Sequence, residues 1–510
     1  MNCKVIKGAA DRLLWDGLLF AVRPATCISN SRAGINGRNS MGKISVANLK
    51  KTIYYLKRNG IKNTCYAMRE RLEERNATSY TYAPISEEEK RKQREWSKDK
   101  QIRFSIVVPT YRTNEVYLYE MIQSVAEQTY PHWELILADA TEDDSVKRNI
   151  DAILCDKITG VTDKVRYIKL AENAGIAANT NQALLYATGD YIGLLDHDDV
   201  LTENALYEMA LCIEEGKKQG RELQMLYSDE DKCNGDRTKY YEPHHKEKFN
   251  LDLLLSNNYI CHFLVMKSEL IKELGFRSRY DGAQDYDLVL RGAQKLGKQQ
   301  ENIVHISKVL YHWRCHTGST AENPQSKQYA YDAGLMALQD YADEMGYGAK
   351  AEALKHLGFY TLRYPDGALK VRSDLGAVGG RVLRKNGILG TKKLIGGRMD
   401  ICDKRVRVYY ENIPAAYSGY MHRAVLTQQA EAVDIRCIQV RGECRELFEQ
   451  IIGVPYKEIY ADGNQDLIFD ASILPRDTDY KAVSIKFCEA LQKAGLSILY
   501  QPQMEITWKT

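Results

Sequence analysis

Tyr191-Ile192-Gly193-Leu194-Leu195-Asp196-His197-Asp198-Asp199 decides how this chain is read. An apolar strand, Tyr191 to Leu195, ends abruptly in three carboxylates. A buried strand can carry such charge only at its exposed end, and carboxylates this close repel one another unless something neutralises them. A divalent cation held by oxygen ligands, itself chelating a diphosphate, would do so. Asp199-Val200-Leu201-Thr202-Glu203 also reads as a helix start, so an N-cap beside solvated charges accounts for the acidic run equally well.

Working outward, Phe104-Ser105-Ile106-Val107-Val108 is a buried-type strand, followed by a helix with Tyr117, Met121, Ile122 and Val125 on one face. Glu134-Leu135-Ile136-Leu137-Ala138 is a second strand and Val165-Arg166-Tyr167-Ile168 a third. A helix over residues 175–187 then leads into the acidic strand. Strands alternating with helices predict an α/β chain built on a parallel sheet with right-handed crossovers. Ligands of such sheets sit at the carboxyl ends of the strands. Pro109-Thr110-Tyr111, Asp139 and the run Asp196-His197-Asp198-Asp199 all fall there. Asn173 and Gly175 precede a helix whose free N–H groups could receive polar ligand groups, or they form an ordinary turn and cap.

With 510 residues the chain is long enough for more than one domain, and 44% apolar with 27% charged residues is ordinary for a globular protein. A net charge of +3 argues neither for nor against nucleic acid, and no nucleic-acid partner is expected. The twelve cysteines are scattered, without a CxxC pair or zinc-ligand spacing, and read as reduced thiols of a cytoplasmic protein. The apolar run Leu13 to Val22 is broken by Asp16 and falls short of the ~20 residues a bilayer needs. Asp11, Asp16 and the lack of a clear cleavage site argue against a signal peptide, and Met41 is a plausible alternative start.

Residues 44–72 read as helical, with Val46, Leu49, Ile53 and Leu56 flanked by Lys50, Lys51, Lys57 and Arg58. Such a helix either packs on its own protein or lies on an anionic membrane. Ser86-Glu87-Glu88-Glu89 has the form of a capping box opening a charged helical linker to Trp96. A further unit begins near Arg372, after the loop Tyr364-Pro365-Asp366-Gly367.

Taken in order, these motifs are recognisable. Ser105-Ile106-Val107-Val108-Pro109-Thr110-Tyr111, Asp139, Asn173-Ala174-Gly175, Asn181 and the acidic strand end come first. Tyr227-Ser228-Asp229-Glu230-Asp231-Lys232, Asp281-Gly282-Ala283-Gln284-Asp285-Tyr286-Asp287 and Leu310-Tyr311-His312-Trp313-Arg314-Cys315-His316 follow. Residues 104–321 thereby resemble the family 2 glycosyltransferases of GT-A fold, in the branch that builds bacterial cell-surface polysaccharides such as rhamnan and O-antigen. The resemblance implies a Rossmann-like, mixed, mostly parallel sheet flanked by helices.

It also implies roles. Pro109, Thr110 and Tyr111 would line the nucleobase pocket, and Asp139 would accept a hydrogen bond from the base. Asn173, Gly175 and Asn181 would face the donor, Asp198 would touch a Mn²⁺ or Mg²⁺ ion, and Asp196 would hold ribose or a metal-bound water. His316 matches a histidine that completes the metal shell in relatives; His312 is the nearby competitor. Asp285 would be the general base that removes the acceptor hydroxyl proton as the sugar carbon is attacked from the face opposite the diphosphate. Asp287, in the first turn of a helix, reads as structural. Asp229 and Gln284 would border the sugar and acceptor pocket. Three positions depart from the family pattern: Ala138 where Asp is common, Thr180 where Arg is frequent, and Gln284 where Glu is usual.

Phe487-Cys488-Glu489-Ala490-Leu491-Gln492-Lys493-Ala494-Gly495, then Tyr500-Gln501-Pro502 and Thr507-Trp508-Lys509, echo Arg291-Gly292-Ala293-Gln294-Lys295-Leu296-Gly297, His305-Ile306 and His312-Trp313-Arg314. Residues 1–100 are thus expected as an N-terminal extension and helical linker, 101–330 as the transferase domain, 331–371 as a connector and 372–510 as a degenerate second transferase-like half-domain. The expected activity is metal-dependent, inverting transfer from a nucleotide sugar, UDP- or dTDP-linked ahead of GDP-linked, to a glycan or lipid-linked acceptor. The expected place is cytoplasmic, with peripheral contact at the inner face of the cell membrane. A sugar nucleotidyltransferase is the rival enzyme class, but Val108-Pro109-Thr110-Tyr111-Arg112-Thr113 lacks the glycine of a phosphate loop. A catalytically inactive transferase-like scaffold is the other rival.

Overall fold

The computed structural model describes residues 46–77, 80–316, 328–386, 391–402, 405–463 and 466–509. The run Leu13 to Val22 and Met41 lie outside them. The site rests on one sheet: β1 (Phe104–Thr110), β2 (Trp133–Asp139), β3 (Val165–Lys169), β4 (Tyr191–Leu194), β5 (Val200–Leu201), β6 (Met225–Asn234), β7 (Tyr240–His244), β8 (Leu264–Lys267) and β9 (Ile303–Cys315). Their order is β3-β2-β1-β4-β8-β6-β9-β5, with β7 on β6. β3, β2, β1 and β4 run parallel, as do β6 and β9, while β8, β5 and β7 pair antiparallel. The chain is α/β, a mixed sheet flanked by helices on both faces.

Alternation along the strands makes two cores. Ile106, Val108, Leu135 and Leu137 bury against the helices Glu115–Ala126 and Ala205–Lys218. Val107, Ile136 and Ile192 face the opposite layer, which holds the helices Ile176–Leu184 and Gln284–Leu296. Ala337, Leu338 and Tyr341 of the helix Gln328–Glu344 join that second core, so part of the expected connector packs on the sheet.

Ser86 caps the helix Glu87–Ser97 by accepting from Glu89 N–H at 3.2 Å. That helix is no free spacer: Gln93 Oε1 accepts from the Thr129 hydroxyl at 2.7 Å, and Lys90 pairs with Glu203 at 2.7 Å. The helix Val46–Ala77 belongs to a separate unit and breaks at Gly60 (φ 76°, ψ 170°), with Ile53, Ile61, Met68 and Leu72 exposed. Among the described residues no helix is long and apolar enough to cross a membrane.

Beyond residue 372 the strand Leu375–Asn386 pairs in parallel with Ser497–Thr507, which follows the helix Tyr480–Lys493. This repeats β6 pairing in parallel with β9 after the helix Gln284–Leu296. In both pairs the register slips after the fourth residue of the second strand, beyond Ile306 and beyond Tyr500. The C-terminal strands also grip residues 243–256. Arg372 pairs with Asp252 at 2.7 Å, both buried, and Asn250 and Gln429 exchange two bonds of 3.0 Å. The Ser256 hydroxyl donates to Thr427 O at 2.7 Å. Arg398 and Arg423 hold Glu247 at 3.0 and 3.2 Å, and the Tyr420 hydroxyl donates to Pro243 O at 2.8 Å.

Candidate functional site

Asp196 to Asp199 follow β4 at the carboxyl end of the parallel strands, and the three carboxylates do different things. Asp199 is not a helix cap. Val200 and Leu201 extend as β5 against His312 and Tyr311, and the next helix begins at Ala205. Asp199 instead lies buried, accepting from the Tyr311 hydroxyl at 2.6 Å and from Arg314 N–H at 2.7 Å. Burial, with Asp198 and Asp196 beside it, pushes its carboxyl well above the ordinary range. Asp198 Oδ2 sits 2.8 Å from His316 Nε2, while Arg314 Nε donates to Asp198 O at 2.5 Å and fixes its backbone. His312 is buried against Asp231 at 2.5 Å, so His316 is the histidine that meets the acidic run. The Asp196 side chain is half exposed, and the protein packed around it raises its carboxyl; His262 opposes this, and Asp198 and Asp285 add to it.

The opposite wall comes from Asn258, Cys261 and His262, in a stretch with no periodicity to mark it. His262 Nδ1 donates to Glu230 Oε2 at 3.0 Å, and its ring stacks on Tyr311 (centroids 4.6 Å apart, planes 10° apart). Burial alone would raise Glu230, but Lys246, His244 and His262 pull it well below the carboxylate range. Burial would lower His262, but Cys261 and Glu230 hold it well above the ordinary imidazole value. Lys246 Nζ donates to Ile260 O at 2.6 Å and to His262 O, pinning the backbone that presents the ring. Asp285, in the first turn of the helix Gln284–Leu296, accepts at Oδ2 from Asn258 Nδ2 at 2.7 Å and lies 3.6 Å from Cys261 Sγ. Its Oδ1 has no hydrogen-bond donor among the described residues. Asp287 is buried and enclosed by Arg277 and Arg291.

Several expected donor contacts lie elsewhere. Asn173 Oδ1 accepts from Gly175 N–H at 3.3 Å and Asn179 Nδ2 at 2.9 Å, closing a local turn. The expected open N-terminus of the helix Ile176–Leu184 is covered by Asp281, which accepts from Ala177 N–H at 3.1 Å. A carboxylate at that position satisfies the free N–H groups and the helix dipole, so no ligand is required. Asn181 exchanges two 2.8 Å bonds with the Phe276 backbone. Pro109 and Thr110 pair in register with Ala138 and Asp139, so these residues do share one strand edge. Asp139, however, is buried and already accepts from Thr141 N–H at 3.0 Å and the Tyr167 hydroxyl at 2.9 Å. Tyr111 donates to Glu142 at 2.9 Å. Asp229 is likewise enclosed, accepting from His305 at 2.7 Å, Lys246 N–H at 2.9 Å and His245 at 3.2 Å. Gln284 Oε1 accepts from Gly282 N–H at 2.8 Å and shapes the turn before Asp285.

Two groupings could hold a cation. Asp196, Asp199 and His262 bring ligand atoms within 4.8 Å of one another, but both Asp199 oxygens are engaged. Asp198 and His316 fit better: their ligand atoms, 2.8 Å apart, match the ~3 Å between neighbouring ligands at ~2.1 Å from one ion.

Residues 105–275 match the family model described as Glycosyl transferase family 2. That span takes in Asp196, Asp198, Glu230 and His262 and stops before Asp285 and His316. The "Uncharacterized protein y4gI" of Sinorhizobium fredii (strain NBRC 101917 / NGR234) is 32% identical over 354 residues, 64% of this chain and 38% of that protein. The O-antigen biosynthesis protein RfbC of Myxococcus xanthus is 32% identical over 264 residues, 51% of this chain and 20% of that protein. Chondroitin synthase of Pasteurella multocida (strain Pm70) is 27% identical over 219 residues, 42% of this chain and 21% of that protein. The chain thus spans about a fifth to two-fifths of the length of these relatives. With the sheet and its acidic strand end, the match at residues 105–275 means that this chain carries a domain of glycosyl transferase family 2.

Proposed function

We propose that the chain moves a sugar from a nucleotide-sugar donor to a hydroxyl of a cell-surface polysaccharide or lipid-linked oligosaccharide, with inversion. One arrangement carries this reading: within a family 2 domain, the Asp198–His316 pair and a carboxylate with one engaged and one open oxygen, Asp285, are bridged through Cys261, His262 and Asp196. Mn²⁺ or Mg²⁺ bound by Asp198 and His316 would neutralise the diphosphate as it leaves. Asn258 and Cys261 hold Asp285 Oδ2, which leaves Oδ1 to take the acceptor proton. Pro109, Thr110 and Tyr111 border the nucleobase, and Asp196 turns to the ribose. Residues 372–510 are a remnant of a second transferase unit that braces the first. The enzyme works in the cytoplasm, on acceptors at the inner membrane face.

The test is Asp285→Asn, assayed with UDP-, dTDP- and GDP-sugars after a thermal-shift screen with and without Mn²⁺ picks the donor. Transfer should fall by about 10²-fold or more with nucleotide binding retained. Unchanged turnover overturns the base assignment. Binding of a donor by the wild type with neither transfer nor hydrolysis would favour the inactive scaffold.

A further inference from the structure

His262 has a fixed ring and a second nitrogen with only weak partners. Glu230 holds Nδ1 at 3.0 Å, Tyr311 stacks on one face, and Trp313 lies 5.7 Å away, which together set the ring plane. Nε2 is left 3.8 Å from Asp196 Oδ2, too far for a hydrogen bond, and 3.4 Å from Cys261 Sγ, a weak partner. It thus stands between Asp196 and the Cys261 thiol, whose Sγ in turn lies 3.6 Å from Asp285 Oδ2. Among the described side chains with a hydrogen bond or ion pair to Asp196 or Asp285, His262 alone can carry positive charge. Of the buried cations nearby, Lys246 is spent on Glu230 and backbone carbonyls, and Arg314 is turned by Nε and Nη1 to Asp198 O, Gly235 O and Glu120.

On the proposed reading, the nucleoside belongs to the Asp196 side and the acceptor to the Asp285 side. The group that lies between them is the distal phosphate with its bond to the sugar. As that bond breaks, its electron pair goes to the phosphate oxygen, and a donor aimed there is worth most in the transition state. We infer that His262 Nε2 donates a hydrogen bond to the distal phosphate of the donor, giving the leaving diphosphate a protein contact besides the Asp198–His316 pair. This inference rests on the donor-site reading and adds a residue and an atom to it. Glu230 is then a positioning residue, which orients the ring without touching the ligand.

The experiment compares wild type, His262→Phe, which keeps a ring for the stack on Tyr311, and His262→Gln, which keeps an N–H donor. Calorimetry with Mn²⁺ measures UDP against UMP, dTDP against dTMP and GDP against GMP, and kinetics give kcat and KM with the donor that binds. His262→Phe should weaken the diphosphate about tenfold or more, leave the monophosphate unchanged and lower kcat by about 10². His262→Gln should recover part of both. Equal loss for diphosphate and monophosphate means a merely structural role and overturns the inference, as does no loss for either. A wild-type protein that binds none of the six nucleotides overturns the donor-site reading, and the inference with it.

Discussion

Replacing Arg372 by Met cuts the buried ion pair that ties the start of the C-terminal unit to the helix Leu251–Leu254. Arg372 is 1% exposed and Asp252 2% exposed, and the guanidinium reaches Asp252 at 2.7 and 3.3 Å and Asp374 at 2.7 and 2.8 Å. Asp374, half exposed, regains water when Arg372 goes, so its loss costs little. Asp252 cannot, and breaking a buried pair from one side costs about 3–5 kcal/mol because an unpaired charge stays behind. Asp252→Leu leaves Arg372 its second partner and should cost less. The double variant Arg372→Met with Asp252→Leu removes both charges and should recover about 2 kcal/mol or more relative to the sum of the singles. Urea unfolding followed by circular dichroism, with the three variants side by side, measures this. The same series assayed for transfer reports on the cleft, because Asp252 lies on the helix Leu251–Leu254 just before Asn258 and His262. A loss below about 1 kcal/mol for Arg372→Met, or additivity within about 0.5 kcal/mol, refutes the reasoning.

Asp198→Ala should erase the Mn²⁺-dependent part of the thermal shift given by the donor while leaving the shift from nucleotide alone; a full Mn²⁺ response would show that the cation binds elsewhere. Gly175→Ala places a Cβ 2.1 Å from Asp281 Oδ2 at φ +94°, so it should cost about 1–3 kcal/mol in denaturant unfolding. It should also lower kcat, because Asp281 opens the turn that carries Asp285. For Asp229, burial is outweighed by His305, Lys246 N–H and His245, which hold its carboxyl below the ordinary value. Its stabilisation is therefore present above pH ~4 and lost as pH falls through the lower folded value. The destabilisation by Asp229→Asn in urea should be full at pH 7 and shrink below pH ~4.

How much of this was legible in the sequence depended on range. Buried strands, their order and the polar strand ends follow from local periodicity, which is why Phe104–Thr110, Trp133–Asp139 and Tyr191–Leu194 lie where expected. The helix-start alternative at Asp199 gives way because its partners, Tyr311 and Arg314, are more than a hundred residues away and turn Val200-Leu201 into a strand. For Asn173 and Gly175 the sequence leaves a ligand-facing helix start and an ordinary turn both open, because Asp281, 104 residues from Ala177, cannot be foreseen as the cap. His262 was passed over because it sits outside any regular element. The one local signal was a polar Cys261-His262 pair between the buried residues Tyr259-Ile260 and Phe263-Leu264. His316 is legible only by its match to a family motif, and it lies 2.8 Å from Asp198.

The grip of the C-terminal strands on residues 243–256 has a thermodynamic consequence. A backbone residue held in one conformation loses about 1–2 kcal/mol of conformational entropy, and here that loss is incurred when the chain folds. A ligand entering beside His262 then meets a wall that is already stiff, so its binding free energy is not spent on ordering the chain. The same rigidity makes the cleft answerable to distant positions. Substitutions at Arg398 or Arg423 should loosen that wall by releasing Glu247, without altering Asn258, Cys261 or His262 themselves.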